Sequence, residues 1–172
     1  MTNQEPEFSL HGADALRAAF RRHASGVAVI TSVAKSGEPI GFTATSVTSL
    51  GSNPPLVSFN ISRGASSYPH LVPGVDLAIH ALTRENLELA KVMSGPKEAR
   101  FESDLHTWSH GVPIFLSAAA ILIGRVRTRL EVEANAVVVV DVLRGSENPD
   151  TEPLLYFKRG YHTSGERLAD NF

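Results

Sequence analysis

Between residues 41 and 71 the chain combines short hydroxyl side chains with apolar residues at the alternating spacing of β-strands. The hydroxyls are Thr43, Thr45, Ser46, Thr48, Ser49, Ser58, Ser62, Ser66 and Ser67, and the apolar residues are Phe42, Val47, Leu50, Leu56, Val57, Phe59 and Ile61. Hydroxyls and backbone N–H groups along a concave β wall suit a phosphate-bearing ligand with a flat, apolar body. Hydroxyls near turns also bond their own backbone, so these residues alone leave a purely structural role open.

The other residues that could do chemistry fit structural roles better. Cysteine is absent, which excludes disulfides, thiolate catalysis and cysteine-bound metals. Ser94 and Lys97 have a Ser-x-x-Lys spacing, but the partner motifs of that chemistry are absent and a turn after a helix explains the pair. His106 and His110 lie four residues apart, yet the glycine that follows favours a loop and no third ligand is evident. We therefore predict neither a catalytic side chain nor a metal site.

Motifs for nucleotide binding and for paired acid–base catalysis are also missing. Neither a Gly-x-Gly-x-x-Gly nor a P-loop spacing occurs, so a Rossmann or Walker site is not indicated. Glu131, Glu133 and Asp141 fall at alternating positions or at the ends of predicted strands, which favours a solvated face over paired catalytic carboxylates.

Composition limits the class of protein. A chain of 172 residues with 42% apolar and 20% charged residues is typical of one globular domain. The net charge of −2 gives no general attraction to nucleic acid or to an anionic membrane. The polar, acidic start is unlike a signal peptide, and the apolar run at 112–124 is too short to span a bilayer. With the absence of cysteine, these features favour a cytoplasmic protein.

The pattern of elements predicts a mainly β fold with flanking helices. Residues 1–12 are expected to form a mobile arm, and residues 13–172 one domain. We predict helices at 14–23 and 83–93, a helical turn at 66–71, an irregular segment at 94–110, and strands at 27–33, 40–47, 56–61, 75–81, 118–132, 136–143 and 154–157. Strands joined mostly by short turns favour an antiparallel barrel over a doubly wound sheet.

Three motifs in order resemble the short-chain flavin reductase family. Residues 23–31 are similar to its Phe-x-x-Gly-Val-x-Val-(Val/Ile)-Thr segment, residues 41–46 to a Gly-Met-Thr-Ala-Asn-Ser flavin loop, and residues 53–57 to an Asp-Pro-Pro-Leu-Val strand entry. The resemblance covers residues 14–163. It implies the FMN-binding split barrel, an antiparallel split β-barrel, and a homodimer with flavin near the subunit interface. The apolar stretch at 112–123 would supply dimer surface, or equally core.

The resemblance also implies which residues bind the cofactor, FMN or FAD. The isoalloxazine edge would be bordered by Thr43, Ala44, Thr45 and Ser46, the ribityl chain by Ser49 and Leu50, and the phosphate side by Asn60, Ile61, Ser62, Ser66 and Ser67. In addition, Arg100 would bind phosphate bidentately, Phe101 would cover the ring system and Tyr161 would lie near the flavin. Without the resemblance, Arg100 and Phe101 fit packing plus surface charge, and Tyr161 fits a strand end.

The reductant side departs from the family pattern. A family Gly-Asp-His triplet corresponds here to Glu133-Ala134-Asn135, so Asn135 and His162 are the residues that would face NADH or NADPH. Asn135 can form hydrogen bonds but carries no charge, and it could instead simply close a turn.

The activity implied is an NAD(P)H-dependent flavin reductase that supplies reduced flavin to a partner monooxygenase. Hydride transfer between stacked rings requires no side-chain acid, because the cofactor supplies the chemistry. The alternatives are a flavoenzyme on the same fold with a different reductant or substrate, and a non-catalytic flavin- or haem-binding module.

Overall fold

Runs of β-branched and apolar residues form most of the structure, a computed structural model that describes residues 8–165. The helices are α1 (Gly12–Arg21) and α2 (Leu87–Ser94). The strands are β1 (Ser25–Gly26), β2 (Ala28–Val33), β3 (Pro39–Ala44), β4 (Thr48–Ser52), β5 (Pro55–Ser62), β6 (Asp76–Ala81), β7 (Thr107–Ser109), β8 (Val112–Ile114), β9 (Ala120–Val132), β10 (Asn135–Glu147), β11 (Leu155–Phe157) and β12 (Gly160–His162). Most of the predicted arm, and the end of the predicted domain from residue 166, lie outside the described residues.

Seven of these strands form one antiparallel sheet in the order β3-β2-β6-β9-β10-β5-β4. A small sheet joins β1, β11 and β12, and β7 pairs with β8. The seven predicted strands correspond to β2, β3, β5, β6, β9, β10 and β11, so the mainly β, antiparallel prediction is confirmed. The remaining strands are short, and all five residues of β4 are exposed, which removes the apolar alternation that reveals a strand.

The large sheet curls around its main core. Phe42 on β3 and Phe59 on β5 have ring centroids 5.9 Å apart, although β2, β6, β9 and β10 separate these two strands in the hydrogen-bonded order. Ile30, Leu77 and Val138 lie in the same buried cluster. A sheet whose distant strands share one core has the curvature of a barrel that is split at its edges.

The longest elements are β9 and β10, of 13 residues each, which form one hairpin. Val132 pairs with Asn135, so Glu133 and Ala134 form a tight two-residue turn with Glu133 at a positive φ of 49°. On its other side β10 pairs with β5, and Asn135 lies opposite Ser62. The hairpin therefore brings the predicted reductant side and the predicted phosphate side onto neighbouring strands.

Helix α1 forms close to its predicted range and has Ala15, Leu16, Ala19 and Phe20 on one face. No residue of α1 is buried in the single chain. Leu16 is 60% exposed and Phe20 is 65% exposed. The amphipathic pattern is real, but the surface that would cover its apolar face does not belong to the described part of this chain.

The apolar stretch at 112–123 is mostly core. Val112, Ile114, Ala118 and Ile121 are buried in one cluster, whereas Leu116 is exposed. This stretch could have supplied either dimer surface or core, and most of its side chains pack in the core of the single chain. Among residues 8–165, no helix is long and apolar enough to cross a membrane.

A buried histidine links two strands to the loop after β8. His80 Nδ1 lies 3.0 Å from the Val29 carbonyl oxygen, and its Nε2 accepts a 3.1 Å hydrogen bond from the Phe115 N–H. Because Nε2 accepts, the proton of the neutral ring lies on Nδ1. Burial lowers the pKa of His80 to about 4.

Candidate functional site

A cleft of about 610 Å³ opens beside β3. Four predicted site residues line it together with Gly41: Ser66, Ser67, Arg100 and Phe101. Its volume is within the ordinary range for a site that binds a small molecule. The charge along the cleft is mixed, because Lys97 and three carboxylates also line it.

Gly41 holds two walls of the cleft together. Its carbonyl oxygen accepts hydrogen bonds from Arg100 Nη1 at 2.7 Å and from the Ser67 hydroxyl at 3.4 Å. A Cβ atom at this position would lie 3.0 Å from Phe101 Cζ and 3.1 Å from Met93 Sδ. Glycine therefore lets β3 pack closely against the Phe101 ring, and a larger residue would require Phe101 and Met93 to shift.

Arg100 is held by backbone carbonyls. Its Nε and Nη2 donate to the Gly95 oxygen at 3.1 and 2.8 Å, and its Nη1 donates to the Gly41 oxygen and lies 3.3 Å from the Ser66 hydroxyl. These contacts use four of the five guanidinium N–H groups. Desolvation by burial lowers the pKa of Arg100. As placed, Arg100 presents a fixed charge and one remaining N–H rather than the bidentate fork that the sequence suggested.

Next to the Arg100 guanidinium lie two consecutive backbone N–H groups that have no hydrogen-bond acceptor within residues 8–165. The Gly64 N–H donates to the Ser62 hydroxyl at 3.2 Å, and the Ala65 N–H donates to the Ser62 carbonyl at 3.0 Å. The amides of Ser66 and Ser67 have no hydrogen-bond acceptor among residues 8–165. We call Ser66, Ser67 and Arg100 the anion corner, because adjacent unpaired amides beside a cation suit an anion.

The other hydroxyl-rich residues form a second group, which is not part of the lining of this cleft. The Thr43 hydroxyl donates to the Ala90 carbonyl at 2.7 Å and thereby fixes β3 to α2. The Ser46 hydroxyl accepts a 2.9 Å hydrogen bond from the Asn60 N–H and thereby fixes the loop after β3 to β5. Both hydroxyls thus serve the fold and would shape a site rather than point into one.

The other members of this group divide by exposure. Ala44 and Ile61 are buried in the core, so only their backbone atoms could meet a ligand. The side chains that remain accessible are those of Thr45, Ser49, Leu50, Asn60, Ser62 and Asn135. They lie on β4, on β5, at the start of β10 and in the loop after β3, which are neighbouring parts of one sheet.

Tyr161 and His162 belong to the small sheet. The rings of Tyr161 and Tyr156 meet edge to face with centroids 5.4 Å apart, and His162 Nε2 lies 3.1 Å from the Phe157 carbonyl oxygen. Tyr161 and Phe101 both pack against a second buried cluster, which includes Val29, Met93 and Phe115. The structure therefore connects Tyr161 to the cleft wall through the core, while His162 is exposed at the strand end.

An aromatic cluster that the sequence did not reveal supports the cleft wall. Phe101 stacks with Phe115 at 6.3 Å between centroids and meets His106 edge to face at 5.3 Å. His110, instead of sharing a ligand with His106, lies with Nε2 2.8 Å from Arg144 Nη1. No cluster of three or more potential metal ligands occurs among the described residues.

Comparison with known proteins gives the family. Residues 20–165 match the family model described as the flavin reductase like domain. An NADH:FMN oxidoreductase of Rhodococcus qingshengii is 35% identical over 153 residues, which cover 85% of this chain and 79% of that protein. The reductase component of 4-hydroxyphenylacetate 3-monooxygenase of Pseudomonas aeruginosa is 30% identical over 155 residues, covering 86% and 89%.

A solved structure agrees with these matches. The flavin reductase domain protein of Arthrobacter sp. FB24 superposes with a TM-score of 0.84 at 41% identity, covering 91% of this chain and 98% of that one. The resemblance that the motifs indicated is thus confirmed over most of the sequence, and the chain belongs to the flavin reductase like family.

Proposed function

We propose that the protein is an NADH-dependent flavin reductase that holds the phosphate of its flavin in the anion corner. The observation that carries this placement is the pair of unpaired amides of Ser66 and Ser67 beside the fixed guanidinium of Arg100. Hydrogen bonds that involve a charged partner are the stronger kind, so a phosphate there would contribute more affinity than any single hydroxyl. FMN fits this arrangement, and FAD is the alternative.

The accessible hydroxyl group would bind the rest of the cofactor. Thr45 and the backbone of Ala44 lie where the loop leaves β3, and Ser49 lies on β4. The Thr43 and Ser46 hydroxyls hold this loop in place through Ala90 and Asn60. Phe101 would offer an apolar surface to the flat ring, since its own position is fixed by Phe115.

The part played by the chain is binding and orientation. Flavin supplies the hydride-accepting chemistry when bound, so no side-chain nucleophile or acid is needed. The residues of the site would hold the ring and the phosphate in one place. Accessible hydroxyls, backbone amides and the fixed guanidinium of Arg100 suit this binding role.

For the reductant, we propose NADH, held by Asn135 and His162, with NADPH as the alternative. The Rhodococcus relative is named as an NADH:FMN oxidoreductase, which supports this choice. Asn135 is exposed at the start of β10, opposite Ser62, and could hydrogen-bond a polar group of the nucleotide. His162 is the second polar candidate.

For the acceptor, we propose a separate monooxygenase that receives the reduced flavin. The Pseudomonas relative is the reductase component of a two-part monooxygenase, which supports this partner. We further propose a cytoplasmic homodimer in which the exposed apolar face of α1, with Leu16 and Phe20, is covered by the second copy. Light scattering at micromolar concentration should give twice the mass of the chain, and a monomer would contradict the dimer.

The activity can be tested with purified protein, FMN and NADH. We expect flavin binding by fluorescence titration and oxidation of NADH that depends on added FMN. Binding of flavin without NADH oxidation would favour a flavoenzyme with another reductant. Absence of flavin binding would contradict the proposed function altogether.

A further inference from the structure

Residues 62–71, which carry the anion corner, are anchored at both ends to the β9–β10 hairpin. At the first end, the Arg63 N–H donates to the Ala134 carbonyl at 2.9 Å, and Arg63 Nη1 donates to the Glu133 carbonyl, also at 2.9 Å. The segment therefore begins on the same two-residue turn that precedes Asn135.

At the second end, Arg129 of β9 donates hydrogen bonds to two backbone carbonyl groups of the segment. Its Nη1 lies 3.0 Å from the Tyr68 oxygen and 3.4 Å from the Leu71 oxygen. Its Cζ also lies 4.0 Å from the centroid of the Tyr68 ring. The Arg129 side chain is only 17% exposed, so this anchor is much less screened by water than an ordinary surface ion pair.

Glu131, two residues further along the same face of β9, completes the anchor. Its carboxylate accepts a hydrogen bond from the Tyr68 hydroxyl and lies 3.4 Å from the guanidinium groups of both Arg63 and Arg129. The Tyr68 hydroxyl and the Arg63 guanidinium hold the pKa of Glu131 below its usual value. One carboxylate thus joins the two ends of the segment.

Only the middle of the segment is free of such contacts, and the unpaired amides of Ser66 and Ser67 lie there. The Ser66 and Ser67 hydroxyls contact Arg100 and Gly41 only at 3.3 and 3.4 Å, whereas the two anchors hold the ends of the segment that carries these amides. We propose that Tyr68, Arg129 and Glu131 are positioning residues that preorganise the anion corner for the flavin phosphate. This inference rests on the proposed function, since it assumes that the corner binds that phosphate.

A comparison of FMN with riboflavin, which lacks the phosphate, tests the proposal. Tyr68→Phe removes one hydroxyl and keeps the ring against Arg129, and Glu131→Ala removes the acceptor from a half-exposed position. We expect each to raise the dissociation constant for FMN roughly threefold to tenfold and to leave that for riboflavin unchanged. The double variant should lose no more than Glu131→Ala alone, because Glu131→Ala already removes the hydrogen bond that Tyr68→Phe breaks.

The matched control is Asp141→Asn. It breaks the hydrogen-bonded ion pair between Asp141 and Arg127, which also involves β9 but does not touch residues 62–71. We expect the control to bind both ligands like the wild type. Equal losses for FMN and riboflavin in Tyr68→Phe would indicate general loosening of the fold and would overturn the positioning role.

A third variant separates this proposal from the one on which it rests. Ser67→Pro removes one of the two unpaired amides directly. If Ser67→Pro weakens FMN binding while Tyr68→Phe and Glu131→Ala bind FMN like the wild type, the positioning role alone is wrong. If Ser67→Pro binds FMN like the wild type, the anion corner itself is wrong.

Discussion

Arg100 Nη1 donates a 2.7 Å hydrogen bond to the Gly41 carbonyl across 59 positions of sequence. The same guanidinium contacts Gly95 just after α2 and Ser66 on the opposite wall, so one side chain connects three parts of the cleft. The positive charge of the anion corner is therefore set by the fold before any ligand arrives. A ligand that meets a charge already in place loses little free energy in ordering it.

Replacing Gly41 should damage this arrangement. We expect Gly41→Ala to lower the free energy of unfolding by about 1–3 kcal/mol, because the added methyl would crowd Phe101 and Met93 and force them to shift. Urea denaturation measures the loss. Gly26→Ala is the matched control, since a Cβ atom there would meet no atom within 4 Å. Equal stability of the two variants would show that the close packing at Gly41 does not constrain the cleft.

Thr45 is exposed in the loop after β3, and its hydroxyl forms no hydrogen bond within residues 8–165. If that hydroxyl bonds the ring edge, Thr45→Val should weaken flavin binding by about 1 kcal/mol without changing the melting temperature. Thr128→Val, at an exposed threonine of β9, serves as the control. Ser62→Ala is less selective, because the Ser62 hydroxyl also accepts the Gly64 N–H. Unchanged flavin affinity in both Thr45→Val and Ser62→Ala would count against this part of the site.

The proposed role of Asn135 at the reductant side can be tested by substitution. We expect Asn135→His to lower the Michaelis constant for one of NADH and NADPH more than for the other, by several-fold, while flavin affinity changes little. The comparison requires Asn135→Ala, which removes the hydrogen-bonding group without adding a ring. Steady-state kinetics that are identical in all three proteins would leave Asn135 as a turn residue that begins β10.

His80 should make the fold sensitive to acid. Its pKa is about 4 in the folded chain, below the ordinary value of 6.5, so the unfolded chain binds a proton first as the pH falls. The resulting stability is fully present above pH 6.5 and is lost as the pH falls towards 4, a loss of about 3 kcal/mol. Urea denaturation at several pH values measures it. In His80→Gln the dependence between these values should be much shallower, and an equally steep loss would exclude His80 as its cause.

The sequence predicted the central strands because their apolar residues alternate or run continuously, as in β5 and β10. The family resemblance also implied that Thr45 and Ser62 belong to one binding site, and these residues lie in the loop after β3 and at the end of β5. The sequence could not reveal that Arg100 binds the carbonyls of Gly41 and Gly95, because a hydrogen bond to a backbone carbonyl leaves no trace in the acceptor's residue type.

Long-range contacts on β9 were also hidden. Arg129 and Glu131 are two residues apart on one face of β9, which is typical of a charged surface in contact with solvent. Their contacts with Tyr68 depend on how residues 62–71 fold back on the sheet, which the residue pattern does not show. For α1 the sequence pattern indicates a contact that the single chain does not make. Leu16 and Phe20 have the spacing of a core-facing helix, yet the single chain leaves them uncovered.

The anion corner is tested most directly by Ser67→Pro, measured with FMN and with riboflavin. Ser67 has a φ of −80°, which proline can adopt, so the substitution removes an unpaired N–H with little strain at that residue. Ser67→Ala is the control for the hydroxyl, whose bond to Gly41 is long at 3.4 Å. We predict that Ser67→Pro raises the dissociation constant for FMN at least about tenfold and leaves that for riboflavin within about twofold of the wild type. Equal effects on the two ligands, or none on FMN, would contradict a phosphate site at Ser66, Ser67 and Arg100.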